Sequence, residues 1–478
     1  MKLLVIGLDC AAPELLLGDE RLVNLRRLMA AGGYGRLESV IPPITVPAWM
    51  CMATSQDPGT LGVYGFRNRT DHSYAGLGIA NSRSIQELAI WDQLAREGKR
   101  SVIIGVPPSF PPRKVNGICV GCFLTPSTAT DDYTWPVSVK AEIASLVGEY
   151  EVDVKGFRTD QKAWLRESVF RMSRKLFQVV RHYLASTEWD YFQFVDIGLD
   201  RVHHGFWRYH DPEHVLHEPG SEFENVIRDY YLHLDQEIGR LLEGLDDETV
   251  VLVTSDHGAR RLDGGFCVNE WLVREKLLAL NEYPSAVTPF GKLSVNWGKT
   301  RVWSEGGYYA RVFFNVQGRE PEGTIPAAEY ETFRDEMKAR LEATIPGTLV
   351  FKPEEIYRKV RNVAPDLIVH FGGLSHRSVG GVGYPELIVV ENDTGPDDCN
   401  HAQYGSFILA GPRFPAVGEL SGVRLLDIAP TLLELGGYDV PSSMQGRSLA
   451  GGTRAVEGLS EDGERIIRDR LSGLGYLG

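Results

Sequence analysis

No stretch of this 478-residue chain offers the ~20 unbroken apolar residues that a membrane helix requires. Positive charge is also scarce. Fifty Lys and Arg face 64 Asp and Glu, and the formal net charge of −14 excludes a nucleic-acid duplex or an anionic membrane as a bulk partner. A phosphate-binding site would therefore need local positive charge, which a bound cation supplies most simply. Cysteines are few, at 10, 51, 119, 122, 267 and 399. Cys119 and Cys122 make one CxxC, but no second pair completes a zinc knuckle. Free buried thiols in a reducing, cytoplasmic setting are expected. The first residues imitate a signal peptide until Asp9 breaks the apolar run, and no small-residue cleavage site follows. Repeats and low-complexity linkers are missing too, which leaves one large domain with insertions, or two domains.

What is present is a βα pattern with chemistry at its strand ends. Thr249 to Val253 is a continuous β-prone run, suited to a strand buried on both faces of a parallel sheet. Asp256 and His257 follow at once, where ligands bind in open α/β sheets. A carboxylate beside an imidazole is a half-site for a divalent metal; the competing reading is a turn whose Asp caps a helix. Lys2 to Leu8 is a second such strand, ending in Asp9, which is either a ligand or a cap for the helical pattern of Leu22, Leu25 and Leu28. After a short strand at Gly35 to Ile41, Pro47 places Thr45 at or just before a helix N-terminus, which favours an anion. Its hydroxyl is a cap, a nucleophile or both. Asp57 to Arg69 reads as a loop, and Ser101 to Val106 and Val115 to Phe123 as strands. Trp189 to Val195 is another strand, ending at Asp196. Beyond it Asp200 and His204 share one helical face and compete with Asp196 and His203 as ligands. His210, His214 and His217 follow in a loop, and a long helix spans Glu222 to Leu245.

Two stretches depart from this pattern. Residues 127–186 read as helical, with Trp164, Val169, Met172, Leu176 and Val180 on an apolar face, and as a lid or packing insert without a catalytic constellation. Residues 262–390 mix a strand at Ala310 to Val316, a charged helix from Ala327 to Ala343, strand-like Asp366 to His370 and glycine-rich Gly372 to Gly383, a place for a cap or substrate loop. His401 then precedes the strand Ser406 to Ala410. The expectation is an α/β fold with a mostly parallel central sheet flanked by helices. Its core would comprise 1–261 and 391–478, with 262–390 as an inserted cap.

Together Asp9, Thr45, Asp200 with His204, Asp256 with His257, and His401 resemble the active site of the alkaline phosphatase superfamily, in particular its type I phosphodiesterase/nucleotide pyrophosphatase branch. The resemblance runs from Gly7-Leu8-Asp9 through Thr45-Val46-Pro47-Ala48-Trp49 to Asp427-Ile428-Ala429-Pro430-Thr431 and Gly446-Arg447-Ser448-Leu449. It implies a three-layer sandwich and two divalent ions, zinc first, with manganese or magnesium as alternatives. One ion would take Asp9, Thr45, Asp256 and His257, the other Asp200, His204 and His401. It further implies a small phosphate ester as substrate, Thr45 as nucleophile and Asn68 as donor to the transition-state oxygens, with Arg67 and Arg69 as rivals to Asn68. Sulfatases of the superfamily carry cysteine or serine at the nucleophile and cofactor-independent phosphoglycerate mutases carry serine, so threonine disfavours both. Phosphotransfer within one substrate, or a metal-binding protein without turnover, are the alternatives to hydrolysis.

Overall fold

The structure, a computed structural model, describes residues 1–391 and 394–450. The part of the expected core at 392–393 and 451–478 lies outside the described residues. In chain order the first elements are β1 (Lys2–Leu8), β2 (Gly33–Glu38), α1 (Thr45–Thr54), β3 (Ser101–Ile104), β4 (Gly117–Val120), β5 (Thr134–Trp135) and α2 (Lys162–Ser186). Then come β6 (Tyr191–Asp196), α3 (Gly198–His210), α4 (Val226–Leu242), β7 (Thr249–Thr254) and β8 (Gly258–Arg261). The stretch after β8 adds β9 (Gly264–Cys267), β10 (Val302–Glu305), β11 (Ala310–Phe314), α5 (Tyr330–Glu342), β12 (Leu349–Phe351), β13 (Leu367–His370) and β14 (His376–Val379). β15 (Cys399–Ala402) pairs with β8, and β16 (Tyr404–Ala410) and α6 (Ile428–Gly436) return to the main sheet and its cover.

Ten strands form that sheet, in the order Gly418–Glu419, β2, β16, β7, β1, β6, β3, β4, β5, with Val423–Arg424 also on β2. The run β7, β1, β6, β3, β4 is parallel. β16 runs antiparallel to both its neighbours, and β5 to β4, so the sheet as a whole is mixed. The chain enters β16 almost directly from β15, at the end where the parallel strands finish, and has to run back the other way.

Alternation along β1 explains the layers. Leu4, Ile6 and Leu8 face a core shared with Val169 and Phe177 of α2, Leu199 of α3 and Leu234 of α4. Leu3 and Val5 face the opposite core, with Val46 and Trp49 of α1 and Leu432 and Leu433 of α6. Helices therefore cover both faces, as a parallel sheet of apolar strands demands. Residues 127–186 are less uniformly helical than their pattern implies, because β5 extends the sheet before the helices Val139–Val147 and α2 begin. α2 is one of the covering helices. Trp164 faces outward at 44% exposure, and Leu165 takes the buried place.

Residues 262–390 build an antiparallel sheet, β10-β11-β13-β12, and a smaller one of β14, β9 and Ile388–Val389. A separate apolar cluster includes Val312, Phe314, Met337, Leu341 and Leu367. β11 ends earlier than its apolar run because the Asn315 amide donates to the Thr300 and Glu322 carbonyls at the strand's end. Ile44 packs with Tyr64, Tyr309, Tyr357 and Ile368 in a smaller cluster where this unit meets the core. Among the described residues no helix is long and apolar enough to cross a membrane.

The centre of β6 provides a stability test. Phe194 is fully buried, with Phe177 edge-on at 5.4 Å. Phe194→Ala should cost about 3–5 kcal/mol, seen as a lower denaturant midpoint at unchanged slope. An unchanged midpoint would remove β6 from the interior.

Candidate active site

Register brings the site together. Leu8 of β1 pairs with Asp196 at the end of β6, and Gly7 pairs with Thr254 at the end of β7, so three neighbouring strands finish level. Asp9 and Asp256 lie just past two of these ends. The third strand leads into α3, whose first turns carry Asp200 and, one turn on, His204. His401 arrives from far along the chain through the antiparallel pairing of β8 with β15, in which it sits opposite Ala259. Thr45 is the first residue of α1. The N-cap position is Ile44, which makes no side-chain capping bond, so the Thr45 hydroxyl is not spent as a cap. It lies 3.3 Å from His257 Nε2.

Two groups form, Asp9 with Asp256 and His257, and Asp200 with His204 and His401, each with its ligand atoms within 4.8 Å of one another. The rings of His257 and His401 stack with centroids 3.8 Å apart, so the groups adjoin. All six residues are at most 2% exposed.

Each side chain ties down one polar atom, and four of the six leave another bare. Asp9 Oδ2 accepts from Trp49 Nε1 at 2.7 Å, Asp256 Oδ1 from the Cys10 N–H at 3.2 Å, and Asp200 Oδ2 from Arg201 Nη1. Trp49 reaches Asp9 because Gly7 leaves room; a Cβ there would meet the indole at 2.6 Å. The histidines place Nδ1 against oxygens that only accept, Gly258 O at 3.1 Å for His257, Pro43 O at 3.0 Å for His401 and Asp397 Oδ1 at 2.6 Å for His204. Nδ1 must therefore carry the proton, and Nε2 presents its lone pair, as in metal-binding histidines. Asp9 Oδ1, Asp200 Oδ1, Asp256 Oδ2 and His204 Nε2 are buried without any hydrogen-bond partner. Unpaired buried acceptors are costly. Here they converge, with His257 Nε2 at 3.2 Å from Asp256 Oδ2 and His204 Nε2 at 3.3 Å from Asp200 Oδ1. A set of acceptors with no donor among them fits divalent cations.

Electrostatics agree. Burial first, then the Asp200 charge, pushes the Asp9 carboxyl well up; burial and Asp9 do the same to Asp256. Burial lowers His257 to about 4, leaving its imidazole neutral. His204 differs: burial opposes its charge, but Asp397, Cys399, Tyr308 and Asp200 together outweigh burial and raise it, so a proton and a cation compete for Nε2.

The other candidates fall elsewhere. Asp196 accepts from Ser173 Oγ at 2.7 Å, Tyr230 OH at 2.9 Å and the Leu199 N–H at 3.2 Å, which fixes the start of α3 rather than joining either group. His203 meets Tyr231 OH at 3.3 Å, and His214 and His217 bind backbone carbonyls. Asn68 closes a local turn: its Oδ1 accepts from the Tyr64 N–H at 2.7 Å and its Nδ2 donates to Gly65 O at 2.9 Å, which engages one of the two amide N–H groups. Arg69 is buried against Glu320 at 3.3 Å, whereas Arg67 lines a cavity beside the cluster. Asp397 and Arg201, which orient His204 and Asp200, are absent from the residues singled out above, and Trp49, which orients Asp9, appears there only as the end of a motif. Their only sequence cues are adjacency to Asp200 for Arg201, one helical turn from Thr45 for Trp49, and the acidic run before His401 for Asp397.

This fold and this buried acceptor cluster define an α/β protein with two adjoining groups of candidate metal ligands. The chain matches the type I phosphodiesterase/nucleotide pyrophosphatase family over residues 3–385, and it belongs to that family of phosphoester hydrolases. No curated protein sequence matches it. Among solved structures it is similar to murine ectonucleotide pyrophosphatase/phosphodiesterase 5, with 14% identity, 92% of this chain and 96% of that one covered, and a TM-score of 0.53. An inactive threonine-to-alanine variant of that murine protein, in complex with AMP, matches to the same extent. Phosphonoacetate hydrolase from Sinorhizobium meliloti 1021, in complex with phosphonoacetate, covers 91% of this chain and 96% of its own at 16% identity and a TM-score of 0.59. At these identities the likeness is one of fold.

Asp200 and Asp196 separate experimentally. Asp200→Ala should remove activity and lower the divalent-ion content on elemental analysis. Asp196→Ala should keep the ions and lower the unfolding temperature, at a cost of about 1–3 kcal/mol for the unpaired donors it leaves. The reverse pattern would put Asp196 among the ligands.

Proposed function

We propose that the protein hydrolyses small phosphoric esters at a centre for two divalent cations, with Thr45 as the nucleophile. The observation that carries this reading is the convergence of bared, buried acceptor atoms beside the Thr45 hydroxyl. Asp9, Asp256, His257 and Thr45 would hold one cation, and Asp200, His204 and His401 the other; zinc suits this mix of nitrogen and oxygen donors. Bound there, such a pair supplies Lewis acidity to an in-line phosphoryl displacement.

The chain's own residues do the rest. Thr45 Oγ1 gives up its proton and forms a bond to phosphorus while the ester oxygen leaves. Water then cleaves the phosphothreonine, which restores Thr45 and releases the phosphate product. Negative charge on the remaining phosphoryl oxygens meets the amino-terminal end of α1, whose dipole and free N–H groups favour an anion. The second N–H of the Asn68 amide would add a side-chain donor to those oxygens. Family membership supports the ester class, and a murine relative that is inactive as a threonine-to-alanine variant and is complexed with AMP supports a threonine nucleophile. All six cysteines are free and buried, in keeping with a reducing, cytoplasmic setting.

Thr45→Ala should fold and lose roughly three orders of magnitude or more in rate on aryl mono- or diesters supplied with metal. Thr45→Ser should keep substantial activity, and rapid quenching should trap phosphate on residue 45. Turnover by Thr45→Ala near the wild-type rate would overturn the covalent route. No hydrolysis by the wild-type protein under any metal loading would overturn the enzyme.

A further inference from the structure

A cavity of about 340 Å³ adjoins the cluster. Tyr308 is the shared wall. It lines the cavity and stacks its ring on His401 at 4.3 Å and on His204 at 5.0 Å. Four arginines, Arg67, Arg158, Arg311 and Arg377, line the space against one carboxylate, Glu305. That balance is opposite in sign to the whole chain, whose net charge is −14. A cleft of one sign concentrates ligands of the other.

Two of these arginines also serve the cluster. Arg158 Nε donates to Asp397 Oδ2 at 2.9 Å, and Arg377 Nη1 lies 3.8 Å from the same oxygen, so both steady the carboxylate that orients His204. Arg311 has no such duty. It is 6% exposed, and its Nη1 donates to the Arg67 carbonyl. Glu305 stands opposite it across the β10–β11 ladder but lies 3.6 Å from Arg67 instead, and among the described residues no carboxylate pairs with Arg311. A buried guanidinium without a counter-ion is expensive to keep. Where it faces a cavity, a bound anion would satisfy it, and a planar fork suits carboxylate or phosphate oxygens.

We propose that Arg311 and Arg67 bind a second anionic group of the substrate, a carboxylate or a phosphate carried by the molecule whose phosphoryl group reacts at the cluster. The inference rests on reading the cluster as a phosphoester site. It narrows the substrates to esters with two separated anionic ends. The inserted region supplies Arg311 and the glycine-rich wall of Gly306, Gly307, Gly380 and Gly381, so recognition lies mainly there.

Three probes that do not turn over test this by titration calorimetry on metal-loaded protein: phenylphosphonate, 4-carboxyphenylphosphonate and 1,4-phenylenediphosphonate. The wild-type protein should bind at least one of the two-anion probes about tenfold more tightly than phenylphosphonate, on the scale of one good charge-assisted contact. Which of the two it prefers identifies the second group. Arg311→Gln and Arg67→Gln should each shrink that preference to about threefold or less. Arg67, whose side chain is 54% exposed, keeps the test usable if Arg311→Gln does not fold. Equal binding of all three probes, or a preference intact in Arg67→Gln and in any folded Arg311→Gln, overturns the proposal. Because the probes are inert, a two-anion preference without ester hydrolysis would sink the hydrolase reading alone. Hydrolysis without the preference would sink the arginine site alone.

Discussion

The constraint on which this structure depends is the burial of three carboxylates and three imidazoles, most with an acceptor atom left bare. Desolvating like charges at this proximity works against folding, and the rise in the Asp9 and Asp256 pKa values shows it. The protein tolerates the arrangement because every ligand is fixed from behind. Trp49, the Cys10 N–H and Arg201 hold the carboxylates, and Gly258 O, Pro43 O and Asp397 hold the imidazoles. Those supports come from strand ends, helix starts and one long-range ladder, which are the rigid parts of the fold.

Labour is divided along the chain. The doubly covered sheet supplies the acceptor cluster and the Thr45 hydroxyl. Residues 262–390 supply Tyr308, Arg311 and Arg377, and the irregular segment just before α2 supplies Arg158. Asp397, just ahead of β15, joins the two: it orients His204 on one side and accepts from Arg158 on the other. On the proposed reading, a change in the inserted wall would alter which ester is taken while leaving the acceptor cluster in place, the general manner in which sites are grafted on folds.

Much of the core could be read from local pattern. Apolar runs ending in Asp9, Asp196 and Asp256 mark strands whose ends meet, and the spacing of Asp200 and His204 marks one helical face. The antiparallel sense of β16 was not legible, because direction within a sheet depends on where the preceding chain enters. Nor were the supports of the ligands. Asp397 reaches His204 and Trp49 reaches Asp9 across long separations that leave no local trace. Asn68 is tied as well into a turn with residues three and four back, which its residue type alone does not announce. Arg311 sits in an ordinary strand sequence, and only the geometry of the ladder reveals it as a buried charge with a cavity before it.

The pairing of β8 with β15 also sets an order of events. Chains fold as they are made, from the amino-terminal end. Asp9, Asp256 and His257 are all present once the strand-end loop after β7 has left the ribosome. Asp200 and His204 must wait for His401, which arrives only after the whole inserted region has been synthesised and has folded back onto β8. The two halves of the centre are thus born at different times, and the later one closes only on a chain whose recognition wall already exists.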